Sequence, residues 1–531
     1  MSFTTVAFFV FLLAGIVVYY VLPKNVQWIW LLILSYIYYF TFSIKASLFM
    51  VFATVTIYFG GIWLENIQNT GDRYLKDNKE TLSREDKKAY KESLRRKKRW
   101  VLFLILLLDF GMLAVVKYSN FAIENINSVL GLIGKEPIGL LGMGLPLGIS
   151  FFTFQSVSYA IDVYQGKYEC EKNIFKMGLF VSFFPQLLQG PIGRYDRLGK
   201  QLYSGHSFNL KNVEYGLQRI GWGLFKKVVI ADRAAVLVLN VFNNYEAYSG
   251  FHYIMAVLMY SVDLYMDFSG GIDIVIGAAQ MFGITMDENF RQPYFSKSIG
   301  EFWRRWHITL GAWLKAYVFY PVSVSGLVKK WNHFARKHVG KYLTKMGIFA
   351  MTLFPVWMCN GLWHGAQWNY ILYGMYYFVI LLAGEAVAPV REMVLERFHL
   401  DCHALYWRVP QILKTWMIIF TGEMFFRAEG AAAGFHMFRS IFQGFELQKL
   451  WDGTLLGMGL NAADFAAVGF GILIVAVADI LKERKLLNWD KLQEMKLPVR
   501  WILYYGLIFA VLLLGAYGTG YQQVDLIYAG F

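Results

Sequence analysis

Two histidines stand out by their surroundings. His364 lies in Trp357-Met358-Cys359-Asn360-Gly361-Leu362-Trp363-His364-Gly365, inside a strongly apolar region. His307 closes the run Glu301-Phe302-Trp303-Arg304-Arg305-Trp306-His307, where two arginines sit among three aromatic rings. An ionisable side chain at membrane depth is costly and is found there with a partner or a task. A neutral imidazole accepts a proton near neutral pH, since its unperturbed pKa is about 6.5. The chemistry on offer at His364 is therefore that of a general base in a transfer reaction carried out inside the membrane. The competing reading is a packed core histidine bonded to a carbonyl, and the residues alone leave both open. If the stretch from Ser298 onward is helical, Trp303, Trp306 and His307 share one face by i, i+3, i+4 spacing. An interfacial helix whose arginines reach toward phosphates fits the same residues.

Other reactive types are weaker candidates. Asp263 and Asp267 fall on one helix face, and Asp273 follows Ser269-Gly270-Gly271. Such acids should face the bundle interior, and pairing with arginine is expected over acid–base work. Cys170, Cys359 and Cys402 are scattered, with no C-x-x-C, so neither a disulfide framework nor a zinc site is indicated. Cys359 reads as a small buried apolar residue. Gly142, Gly144 and Gly148 lack the spacing and the βαβ setting of a nucleotide loop and suit close helix packing or a helix break.

The elements that must position these residues are membrane helices. Of 531 residues, 57% are hydrophobic and only 17% charged, against about 25% in soluble domains. The expected fold class is an all-α, polytopic membrane helical bundle. Apolar runs fall at about 5–22, 26–42, 46–63, 100–117, 149–164, 213–240, 251–267, 366–386, 411–427, 461–481 and 501–518, and the chain re-enters the membrane near 347. With broken or re-entrant pieces this predicts roughly 11–14 membrane segments. One such piece is 183–195, where Pro185, Gly190, Pro191 and Gly193 interrupt an apolar run; irregular backbone there implies a hollow inside the bundle. The organisation read from this is 1–64 as N-terminal transmembrane helices, 65–99 as a basic cytoplasmic loop that could be helical, and 100–531 as the core with the C-terminal helices. Net charge is +14, and the basic residues cluster in loops, as the positive-inside rule requires. That distribution suits membrane lipid headgroups and is a poor fit to nucleic acid. It places 65–99, 327–345 and 482–485 in the cytoplasm and both termini outside. The first run lacks a basic n-region and a cleavage site, so it reads as a helix that stays, not a signal peptide. No internal repeat appears, which counts against the rival class, a transporter or flippase built from paired halves.

Six motifs, in order, carry a resemblance: LPLGISFFTFQ at 145–155, FFPQLLQGPIGRY at 183–195, DFSGGID at 267–273, NFRQPY at 289–294, EFWRRWH at 301–307 and GLWHG at 361–365. Together they resemble the membrane-bound O-acyltransferase (MBOAT) family, in particular its branch of bacterial alginate O-acetyltransferase membrane subunits. Departures are Gly271, where a tyrosine is expected, and a loosely matching ending at 527–531. The resemblance implies a helical bundle around a tunnel or funnel, with His364 as the catalytic base and His307 as a second important position. It implies substrate or tunnel roles for Trp303, Arg304, Arg305, Trp363, Asn360, Asp267 and Gln155. It further implies no resident cofactor or metal, and an acyl thioester such as acetyl-CoA as donor from the cytoplasm. The acceptor would be a hydroxyl of an extracellular or cell-wall polysaccharide, reached directly or through an extracytoplasmic SGNH-type acetyltransferase partner, at a bacterial cytoplasmic membrane. D-alanyl transfer to teichoic acid is the alternative within the family. The tryptophans suit such chemistry by excluding water from a thioester, and the arginines by attracting the donor's phosphates.

Overall fold

A computed structural model describes residues 1–142, 144–402, 404–443, 446–517 and 521. The ending at 527–531 lies outside the described residues. The described chain is 78% helical and contains no strand. Among the described residues, six helices are long and apolar enough to cross a membrane: Ser47–Asp77, Arg84–Leu132, Gly340–His364, Trp368–Arg397, Ala462–Glu483 and Leu497–Leu514. Val6–Val21 and Gln27–Phe40 are apolar but shorter. Further helices in the expected runs carry polar residues, among them Ile149–Tyr164, Gly250–Met281 and Leu405–Arg427.

The chain forms two compact units, Met1–Gly216 with Val275–Asp287, and Leu217–Ile274 with Glu288–Phe531. In the first, the charged stretch 65–99 is helical on both sides of a turn. Ser47–Asp77 continues through its start, and Arg84–Leu132 takes up its remainder. Lys, Glu and Arg are good helix formers, so charge density does not by itself make a loop. Ser83 caps the second helix by accepting from the Asp86 N–H, and Glu85 and Asp86 sit in its first turn. The arms pack through Tyr74 on Tyr90, ring centroids 4.4 Å apart, and Lys98 donates to Gln68 at 2.8 Å.

The interrupted run at 183–195 is broken as its prolines and glycines require. The helix Ile174–Ser182 stops at Phe183, one turn follows at Phe184–Leu187, and the chain is irregular up to Tyr195. Residues 177–193 are nevertheless buried. Their backbone needs partners, and finds some: the Phe184 N–H donates to the Ser35 hydroxyl, and the Gly190 N–H to the Gln186 carbonyl.

In the second unit two helices approach backbone to backbone. A Cβ on Gly223 would lie 2.5 Å from the Gly270 carbonyl, and one on Gly270 2.8 Å from that of Gly223. Just beyond Gly223 the helix widens into a π-helical segment, Phe225–Ala231. Its adjacent lysines, Lys226 and Lys227, are both buried.

Candidate active site

The segment carrying Trp303 and His307 is not one helix. Ile299–Arg305 ends, Trp306 is extended, His307 is left-handed at φ 44° and ψ 55°, and a new helix runs Ile308–Leu314. The shared helix face expected for Trp303, Trp306 and His307 therefore does not form. A residue with a side chain adopts this conformation only when its surroundings hold it there. Here the holder is Asn289, fully buried. Its backbone carbonyl accepts from the Ile308 N–H at 3.0 Å. Its side-chain oxygen lies 3.0 Å from both the N–H and the hydroxyl of Thr309, and 3.2 Å from His307 Nδ1. The Arg291 N–H donates to the Arg305 carbonyl across the same junction.

His364 is delivered by a different route. It is the last residue of Gly340–His364, which packs on Trp368–Arg397. The approach depends on glycine: a Cβ on Gly361 would lie 2.5 Å from the Tyr370 carbonyl, and one on Gly374 2.4 Å from that of Trp357. The imidazole, 4% exposed, stands edge-on to Phe426 at 4.8 Å and to Tyr373 at 5.7 Å. Trp363 packs against both histidine rings, at 4.7 Å from His364 and 5.3 Å from His307.

The two histidines line one cavity of about 500 Å³. Trp303, Arg304, Asn360 and Lys315 line it with them. One wall is aromatic, with Trp303 lying 5.1 Å from Trp357, and Trp303 is backed by Tyr377 at 4.9 Å. Two buried polar atoms on this wall, Trp303 Nε1 and Asn360 Oδ1, have no hydrogen-bond partner among the described residues. A buried donor or acceptor without a partner costs about 1–3 kcal/mol, so such atoms mark places where a ligand's polar groups fit. Arg304 is exposed, and Lys315 lies over the Tyr320 ring at 5.7 Å. A second cavity, about 510 Å³, is lined by Arg219, Lys226, Asp273, Lys482, Trp222 and Trp489 among others. Ile308, the residue after His307, lines both cavities.

The remaining candidates are placed elsewhere. Arg305 is held by Glu301 at 2.8 Å and Glu483 at 2.7 Å, so its charge is spent on ion pairs. Asp267, fully buried, pairs with Lys227 at 2.5 Å, and the same ammonium meets Asp232 at 2.8 Å. Asp273 meets Lys226 at 2.6 Å and Arg219 at 2.9 Å. The expectation of arginine partners thus holds for Asp273 but gives way to lysine at Asp267. The wider π-helical turn lets adjacent lysines reach different carboxylates on one helix. Gln155 lies in the first unit, donating to the Phe180 carbonyl at 2.7 Å and accepting from Gln186 at 2.9 Å, where it braces the broken segment. Asn289 was not among the expected site residues; its motif was visible, but an asparagine carries no chemical signal until its partners are known.

The family description "MBOAT, membrane-bound O-acyltransferase family" matches residues 60–426. The probable alginate O-acetylase AlgI of Pseudomonas aeruginosa is 31% identical over 89% of this chain and 79% of its own length. The peptidoglycan O-acetyltransferase of Helicobacter pylori is 30% identical over 80% of this chain and 76% of its own. The teichoic acid D-alanyltransferase of Bacillus subtilis is 29% identical over 44% of this chain and 58% of its own.

Proposed function

The chain belongs to the membrane-bound O-acyltransferase family, and we propose that it moves an acetyl group from a cytoplasmic thioester, acetyl-CoA or an equivalent, to a hydroxyl of an extracytoplasmic polysaccharide. It is an O-acyltransferase. The observation that carries the finer reading is the single cavity shared by His307 and His364, with an unpaired donor and an unpaired acceptor in its wall. Two of its relatives are named for alginate and peptidoglycan, both glycans.

In this reading His364 takes the proton of the acceptor hydroxyl as its oxygen attacks the thioester carbonyl. The C–S bond breaks, an ester forms, and the proton passes to the leaving thiolate, so the reaction consumes no net proton and needs no oxidant. A positioned base contributes roughly 10²–10⁴-fold to such a step. The Trp303 N–H suits the carbonyl oxygen, where negative charge develops. Asn360 Oδ1 suits a donor group of either substrate, such as an amide N–H of the thioester's arm. Arg304 and Lys315 suit phosphates. The aromatic wall keeps water away from the thioester. The second, more polar cavity, meeting the first at Ile308, suits passage of the donor's charged end. A bacterial cytoplasmic membrane and an extracytoplasmic SGNH-type partner that passes acetyl on to the polymer complete the reading.

The test is a label experiment on bacterial cells carrying the intact chain, compared with cells lacking it. Their envelopes are supplied in parallel with [¹⁴C]acetyl-CoA and with D-[¹⁴C]alanine plus its activating system. Base-labile acetyl label in the envelope polysaccharide, dependent on the chain, is the expected result. Label from D-alanine alone would replace acetyl transfer with D-alanyl transfer.

A further inference from the structure

The hydrogen bonds around Asn289 settle more than a backbone conformation. The side-chain atom at 3.0 Å from the Thr309 N–H must be the carbonyl oxygen, because a backbone N–H can only donate. That same oxygen lies 3.2 Å from His307 Nδ1. An oxygen of this kind only accepts, so Nδ1 must carry the hydrogen. In the neutral ring the lone pair then falls on Nε2. We propose that Asn289 is a positioning residue that fixes the tautomer of His307, so that this imidazole meets the reacting groups with Nε2 as a hydrogen-bond acceptor.

The inference rests on the acyl-transfer reading of the cavity. It gives the second histidine a defined part. His307 is held by its backbone and by its ring at once, from one asparagine that does not itself line the cavity. Such a hold costs nothing at the moment of reaction, because ring and tautomer are set in advance. Among the rings packed on His307 are Phe268 at 4.9 Å and Trp363 at 5.3 Å, and neither of these bears a charge. The titratable and charged groups that share its cavity are His364, Arg304 and Lys315. None of these can stand in for the acceptor on the Nδ1 side, which Asn289 supplies.

Asn289→Asp and Asn289→Ala separate this role from plain scaffolding. Aspartate keeps an acceptor for His307 Nδ1 and for both donors of Thr309, and adds a negative charge. An anion at this distance favours the protonated imidazole. Nε2 of His307 accepts only while the ring is neutral, so raising the proton affinity of that ring moves the acidic limb of the pH–rate profile to higher pH, by roughly 1–3 pH units. Alanine removes the acceptor and frees the tautomer. The full chain is assayed in native membranes by transfer of label from [¹⁴C]acetyl-CoA to envelope polymer between pH 5 and 9, with the amount of inserted protein measured for each variant. Expected are a shifted acidic limb with near-normal maximal rate for Asn289→Asp, and a loss of about 10–100-fold per inserted molecule for Asn289→Ala. Should the alanine variant fail to accumulate, the aspartate limb alone decides. Asn289→Asp with the wild-type profile, differing only in amount of inserted protein, overturns the proposal. No chain-dependent acetyl label from the wild-type protein in the same assay would instead strike the acyl-transfer reading itself, so the two failures are distinguishable.

Discussion

Trp363 stands edge-on to His307, ring centroids 5.3 Å apart, and its own chain neighbour His364 packs on the same indole at 4.7 Å. Two histidines from distant parts of the sequence thereby share an aromatic partition and one cavity. The cavity's other polar residues owe their expected effects to that arrangement.

Trp303 offers the cleanest separation of binding from folding. Its buried N–H has no hydrogen-bond partner among the described residues. Trp303→Phe keeps an aromatic ring on Trp357 and Tyr377 and removes an unsatisfied donor, a change that leaves stability nearly unaltered. If the N–H meets the thioester carbonyl, kcat falls by about 10²-fold, since loss of one oxyanion donor costs roughly that much. Thermal unfolding in detergent and single-turnover acetyl transfer measure the two effects independently.

The adjacent arginines should behave differently despite their identical chemistry. Arg304→Ala leaves ion pairs intact and should raise KM for acetyl-CoA several-fold, with the difference shrinking at high salt as screening weakens the phosphate contact. Arg305→Ala abandons Glu301 and Glu483, so its first effect is on the amount of folded protein. Initial rates at 50 mM and 500 mM salt, normalised to inserted protein, distinguish the two. A KM effect at Arg305 and none at Arg304 would reverse the assignment.

Lys227 and Asp267 form a buried pair whose parts cannot be removed singly without cost. Lys227→Met leaves Asp267 and Asp232 buried without their ammonium, and Asp267→Leu leaves a carboxylate short around Lys227. Breaking such a pair from one side costs about 3–5 kcal/mol. The double variant should lose less than the sum of the singles, and unfolding midpoints of the three proteins in one detergent give the coupling directly.

These residues also show how far the sequence could be read. Long apolar runs, loop-borne positive charge and proline–glycine breaks are properties of composition, so the helical membrane fold and the broken stretch around Pro185 were legible. His364 was legible as a candidate base, because that reading depends on residue type. The helix break at His307 was not legible. It is imposed by Asn289, which lies outside any helical spacing from His307, so the i, i+3, i+4 pattern pointed to a continuous face that does not exist. Nor could sequence choose between Arg304 and Arg305, since the choice is made by Glu483 on another helix. The lysine partner of Asp267 was hidden for a similar reason. It depends on the π-helical register at Lys226 and Lys227, which no hydrophobic pattern encodes. At 65–99 the charged residues allowed a helical segment, and helix-forming side chains there build two packed arms.

The most direct measurement is acetyl transfer by the His364→Ala protein in native membranes, with [¹⁴C]acetyl-CoA as donor and insertion checked alongside. Loss of the base should reduce base-labile label in the polymer by at least about 10²-fold at unchanged protein level. Label equal to wild type, from an equally abundant variant, would contradict the assignment of His364 as the residue that takes the proton.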